Sequence, residues 1–196
     1  MAATTISTWQ LPNSLALQGT WSVWKSKWRG DPKLTHLSDF DTFEGFLQSV
    51  GSTPSSSLTD KHYLHIFRQG IRPMWEDPQN ASGGHFKLMA TTPEASTALW
   101  QALLLNMLFD QLPGAAKCNG ASIVVHNIGN NIVKLWLGTA HTDAVGAVKA
   151  FLRRTLRPED YVAEKITFVP HKLVIRGSSK KPPQQLTDAP GPAKRP

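Results

Sequence analysis

Trp75 and the acid that follows it, Glu76, are the residues of this chain best suited by type and spacing to hold a ligand. They sit in FRQGIRPMWEDPQNASGGHF (67–86), where two aromatic-ended segments of strand character flank a middle of Pro73, Met74, Trp75, Glu76 and Asp77. Pro73 fixes its own φ and pushes Arg72 towards an extended conformation. Pro78 and the Gly83-Gly84 pair mark a turn that brings the second segment back. Trp75 is thereby expected in a stiffened loop between strands. An indole plate beside a carboxylate suits a flat heterocycle with N–H donors, because the plate stacks and the carboxylate accepts. For a lone Trp-Glu pair the plainer alternative is a core tryptophan beside a solvated acidic turn.

The order GIxPMWED, then Asn80, then Gly83-Gly84 resembles the signature of the eukaryotic translation initiation factor 4E family, which holds the 7-methylguanosine at the 5′ end of mRNA. The likeness continues at Leu17, Gln18, Trp21 and Trp24, whose LQxxWxxW spacing resembles the family's first strand, where the tryptophans are structural. It covers roughly 15–176 and is dense at 17–24, 40–44 and 67–84. Trp28, an apolar plate in the polar, turn-rich KSKWRGDPK, has no evident core role and resembles the family's other cap-stacking tryptophan.

What the resemblance implies has a physical basis. Methylation at N7 makes guanine cationic, and a cation between two indole faces gains stacking together with cation–π attraction of about 2 kcal/mol or more when desolvated. Trp28 and Trp75 as a sandwich would select the methylated ring. Glu76 would accept from the guanine N1–H and exocyclic amine in a two-pronged, charge-assisted contact. Trp136 resembles a third tryptophan that packs near the methyl group, and filling the core beneath its hairpin is an equal alternative.

For the phosphates the family usually places an Arg at the end of the strand matching ASIVVH and a Lys across the hairpin. Here the first position is His126, and the second falls on Asn131 or Ile132. Lys134, on the Trp136 face, and Lys172, Arg176, Lys180 and Lys181 are further candidates for the missing charge. The family's partner face, which takes a helical peptide carrying a Tyr and a Leu, corresponds to Phe43, Leu47 and the Gln101–Ala102 region, with Leu105 and Phe109 adding to an apolar patch. The family's Trp and acid on that face are replaced, so a differently shaped partner is expected.

A chain of 196 residues with 40% hydrophobic content suits one domain with a real core. The expected division is an arm at 1–14, a cap-binding domain at 15–176, and a disordered basic, Pro-rich tail at 177–196. No apolar run approaches the length of a membrane helix, and the first residues carry no secretory pattern. The single cysteine, Cys118, reads as a small core residue in a reducing compartment. The net charge of +7 resides in 149–196, which hold eleven Lys/Arg against four Asp/Glu, and this field favours an anionic partner.

A strand is expected over 15–24, then a capping box at Asp41–Glu44 with Glu44 reaching back to the cap amide. A short helix would follow to about Val50. Strands follow at 62–67 and 85–90, and Thr92-Pro93-Glu94 starts a helix running to about Asp110. A hairpin is expected over 121–138, with Ile132, Lys134 and Trp136 sharing a face. Thr142-Asp143 caps a third helix, and 165–169 is a last strand. Burying three amphipathic helices on one face of one sheet is the economical solution. The resemblance implies an α+β fold, a curved antiparallel sheet of about eight strands with three helices on its convex face and the cap on the concave side.

The function expected is capture of capped mRNA for translation initiation, with a paralogue that represses translation or stores mRNA as the alternative. No catalysis and no cofactor are implied. The partners implied are the 7-methylguanosine cap and the scaffold subunit of the initiation factor 4F complex or a dedicated regulatory protein, in the cytoplasm or nucleus and without a membrane. A nucleotide hydrolase using Glu76 or His126 as base lacks a Gly-rich phosphate loop, metal-ligand spacing or a nucleophile–His pair. A scaffold that has lost its pocket conflicts with the retention of Trp28, Trp75 and Glu76.

Overall fold

The computed structural model describes residues 14–27, 34–52, 58–59, 61–114, 117–126, 131–162 and 165–172. Strands β1 (Ala16–Lys27), β2 (Thr35–Thr42), β3 (His62–Arg68), β4 (Gly84–Met89), β5 (Cys118–Val124), β6 (Ile132–Leu137) and β7 (Thr167–Pro170) form one sheet. Its order is β2-β1-β3-β5-β6-β4-β7, and every neighbouring pair is antiparallel. The helices are α1 (Phe43–Ser52), the single turn α2 (Pro78–Ala81), α3 (Pro93–Leu108) and α4 (Thr142–Thr155).

Strand alternation divides the sheet into two chemically different faces. Trp21, Val23, Leu64, Ile66, Phe86, Leu88, Ala121, Ile123, Val133 and Leu135 are buried in one core with the helices. Leu99, Trp100, Leu103, Leu104, Met107 and Leu108 of α3 supply the other side, with Val148 and Leu152 of α4. Each fully buried Leu or Ile of this layer contributes about 1.5–3 kcal/mol by leaving water. Cys118 is buried beside them, its thiol pushed up to about 12 chiefly by burial, which leaves it inert as a nucleophile.

The α+β sheet fold is as expected, with differences in detail. Among the described residues there are seven strands against about eight expected, and α2 is a fourth helix where a plain turn was expected. β2 was not foreseen: of THLSDFDT only Phe40 is buried, so this edge strand has no alternation to read. The cap of α1 is Thr42, whose Oγ1 accepts from Gly45 N at 3.1 Å. Glu44 instead accepts from Leu15 N at 2.9 Å and ties β1 to the helix. Thr92 caps α3 as expected, accepting from Ala95 N at 3.1 Å. At α4 the cap position is His141, with no side-chain cap bond, and Thr142 is already helical. Trp9, the remainder of the expected arm apart from Ser14, and the tail at 177–196 lie outside the described residues.

Candidate functional site

The loop between β3 and β4 is built from behind by side chains that never reach its surface. Asn80 is fully buried; its Nδ2 donates to the carbonyls of Arg72 and Met74, each at 2.9 Å. Its Oδ1 accepts from Asn119 Nδ2 at 2.9 Å, and the same amide donates to Gln79 O at 2.8 Å. Asp77 is buried as well: Oδ1 accepts from Gln79 N and caps α2, Oδ2 accepts from Arg72 N, both at 3.0 Å. Gly83 and Gly84 are required by close approach, because a Cβ on Gly83 would overlap the Leu137 carbonyl and one on Gly84 the Phe168 ring. The loop is therefore pinned to β6 and β7, and on it Trp75 is half-buried and Glu76 exposed.

Beneath the loop lies the sheet face opposite the one on which α1, α3 and α4 pack. Trp136 of β6 is 6% exposed and packs against His171, Phe67 and His85 with ring centroids at 4.8, 5.4 and 5.2 Å. His171 Nδ1 lies 2.8 Å from the Asn80 carbonyl, so it carries a proton and donates, and its Nε2 accepts from His85 Nδ1 at 3.0 Å. Both imidazoles are held neutral. His85 is pushed down to about 3 by burial, then by Lys134, His171 and Lys87. His171 is lowered first by burial, an effect opposed by the Asn80 hydrogen bond and by the Glu76 charge. Glu76, His171 and Trp136 thus belong to one locality.

A second chain of bonds fixes the Trp136 ring. Its Nε1–H donates to Ser122 Oγ at 3.0 Å, and the Ser122 hydroxyl lies 2.8 Å from His65 Nδ1, whose Nε2 meets Ser26 Oγ at 2.9 Å. His65 is pushed down to about 3, by burial and then by Lys134, and is neutral. The indole is therefore oriented by a chain that crosses four strands, from β6 through β5 and β3 to β1.

The sequence-chosen residues separate into groups. Glu76 and Trp136 share the surroundings of His171, and Trp75 precedes Glu76 on the same loop, whereas Trp28 and Arg176 lie outside the described residues. Asn131 faces the helices: it is buried, its Oδ1 accepts from His126 N at 2.9 Å and its Nδ2 donates to Ser96 Oγ at 2.8 Å. Its amide is thus held inward, between His126 and Ser96. His126 is half-buried just after β5, and Lys172 is exposed just after β7. Lys134 stays on the Trp136 face, its ammonium 5.3 Å from the Tyr63 ring centroid. On the opposite side of the molecule Phe43 of α1 meets Phe109, just past α3, at 5.6 Å; Leu47, Leu105 and Phe109 are exposed there, as is Gln101, with Ala102 half-buried. Sequence reasoning missed Asn119, His85, His171, Ser122 and His65, whose partners lie 14 to 91 residues away.

Comparison with known proteins gives a consistent result. Residues 16–185 match the family model described as eukaryotic initiation factor 4E. The chain is 32% identical over 155 residues to eukaryotic translation initiation factor NCBP of Arabidopsis thaliana, covering 76% of this chain and 66% of that protein's length. It is 30% identical over 173 residues to eukaryotic translation initiation factor 4E of Aplysia californica, covering 81% of this chain and 73% of the relative. Among solved structures, the complex of C. elegans eIF4E-3 with the 4E-binding protein Mextli and a cap analog superimposes with a TM-score of 0.72 at 27% identity, covering 87% of this chain and 98% of that one.

Proposed function

The chain belongs to the eukaryotic initiation factor 4E family, and we propose that it binds the 7-methylguanosine cap of mRNA and delivers it to translation initiation. The observation that carries this reading is the Trp75–Glu76 pair on a loop locked by Asn80 and Asp77 beside Trp136. Trp75 stacks on one face of the methylated guanine and Trp28 on the other. Glu76 takes the N1–H and the exocyclic amine, and Trp136 forms the wall near the methyl group. The likeness to a structure holding a cap analog supports the same reading. It is a binding function without catalysis. Tryptophan fluorescence during titration with 7-methylguanosine triphosphate, with GTP as control, tests it: quenching by the methylated nucleotide at far lower concentration is expected, and equal binding of the two would sink the sandwich.

Glu76→Gln isolates the guanine contact. The side chain is exposed, so folding stability should change by no more than about 0.5 kcal/mol. Losing a charge-assisted pair of hydrogen bonds costs about 1.5–3 kcal/mol, roughly a tenfold to hundredfold drop in affinity. A variant that binds as wild type but melts many degrees lower would make Glu76 structural.

The face around Phe43, Leu47, Leu105 and Phe109 is where the scaffold subunit of initiation factor 4F, or a dedicated regulatory protein, is proposed to dock. Leu47 is 53% exposed and Leu105 41%, an apolar pair beside the Phe43–Phe109 contact. The likeness to a complex with a 4E-binding protein supports docking of this kind. A generic helical Tyr-Leu peptide should bind weakly, because the matching positions carry no tryptophan or acid to anchor it. The Phe43→Ala/Leu47→Ala double variant should lose its co-purifying partners while retaining cap binding; an identical partner set would place docking elsewhere.

A further inference from the structure

The sheet face turned away from α1, α3 and α4 holds two cations directly opposite one another. Lys87 on β4 pairs in register with Lys134 on β6. Beyond Lys87 the same row continues to Thr167 of β7, and beyond Lys134 to Ser122 of β5. By the two-residue period, Lys134 shares its face with Trp136 and Lys87 shares its face with His85. Directly opposed residues of an antiparallel pair have Cβ atoms about 5 Å apart, and like charges there repel.

Nothing among the described residues offsets that repulsion. The ion pairs they form involve His36, Arg68, Arg72, His141 and Arg157, and neither lysine has a carboxylate partner. Lys134 is half-buried, its ammonium held over Tyr63. The imidazoles around it, His65, His85 and His171, are neutral and bring no negative charge. A partly desolvated pair of like charges is costly unless a counter-charge arrives from outside. Lys134 is pushed down to about 8 by burial and then by Lys87, in keeping with the two cations facing one another.

The position identifies the anion. Two residues of strand, about 7 Å, separate Lys134 from Trp136 along β6. This is one step from the wall of the base pocket, within reach of a phosphate chain attached to the ribose. Asn131 on the neighbouring hairpin is buried and bonded inward to Ser96, away from this face. Lysine binds phosphate as a point charge, and two side by side suit the successive charges of a triphosphate. Resting on the cap-binding reading above, we propose that Lys87 and Lys134 together form the phosphate subsite of the pocket, in the middle of the sheet face and not at the tip of the β5–β6 hairpin.

Titration of wild type and a Lys87→Gln/Lys134→Gln variant with 7-methylguanosine and its mono-, di- and triphosphates tests this. The ratio of triphosphate to nucleoside affinity should fall at least tenfold in the variant, and the dependence of log affinity on log salt should flatten by about two. An unchanged ratio in a variant that still binds the nucleoside overturns the subsite alone. A wild type that binds neither nucleoside nor nucleotide overturns the cap reading and the subsite with it. Should the variant not fold, lysine acylation of the wild type read by mass spectrometry decides. Shielding of Lys87 and Lys134 by the triphosphate beyond that given by the nucleoside is expected, and equal labelling with either ligand overturns the assignment.

Discussion

Trp75→Ala is expected to weaken binding of 7-methylguanosine triphosphate by two to three orders of magnitude, since stacking of about 1–3 kcal/mol and a cation–π contribution of about 2 kcal/mol are lost together. The unliganded protein should melt close to wild type, because Trp75 is half-buried and stands outside the core cluster. The loop's shape depends on Asn80 and Asp77, not on the indole. Selectivity is the sharper readout. Cation–π attraction is what separates the methylated ring from plain guanine, so the preference for 7-methylguanosine triphosphate over GTP should collapse with the affinity. Trp75→Phe retains a ring with a weaker quadrupole and should fall between the two. A Trp75→Ala variant that binds the methylated nucleotide as wild type does would remove Trp75 from the pocket.

Those parts of the fold whose signals are local were legible in the sequence. Thr92-Pro93-Glu94 starts α3 because cap, φ and dipole agree within three residues, and the leucines behind it occupy the buried side. The loop at 67–86 was readable as a rigid platform from Pro73, Pro78 and the glycine pair, although the reason for the glycines, contact with β6 and β7, is visible only in three dimensions. β2 was invisible because an edge strand with one buried residue has no period. The site is less legible than the fold. Motif order picked out Trp75, Glu76 and Trp136, but the pairs that hold them, Asn80 with Asn119, His85 with His171 and Ser122 with His65, are polar contacts between distant strands. Local pattern contains no information about such pairs. Alternation counted from the strand likewise does not reveal that Asn131, one of the hairpin positions considered for phosphate, turns inward to Ser96.

The largest effect outside the ligand contacts is expected at Asn80, where Asn80→Asp should be more damaging than Asn80→Ala despite being nearly isosteric. The Nδ2 group donates to two carbonyls, those of Arg72 and Met74, in a site with no exposure to solvent. Alanine leaves those carbonyls and one Asn119 N–H short of a partner, at about 1–3 kcal/mol for each group that water cannot reach. Aspartate retains the acceptor for Asn119 but turns an oxygen towards two carbonyl oxygens. If ionised, it also buries a charge, which adds to the cost. Thermal melts should therefore rank wild type above Ala and Ala above Asp, with the Ala variant losing about 2–4 kcal/mol. Affinity for 7-methylguanosine triphosphate should fall in the same order and by at least tenfold for Ala, because the carbonyls released belong to Arg72 and Met74, which lead directly into Trp75 and Glu76. The two measurements separate two roles. A variant that loses stability but binds the cap nucleotide unchanged would make Asn80 a core residue with no control over the loop. A variant in which Asp is tolerated better than Ala would mean that the amide faces the other way, with its oxygen towards the loop and its nitrogen towards Asn119.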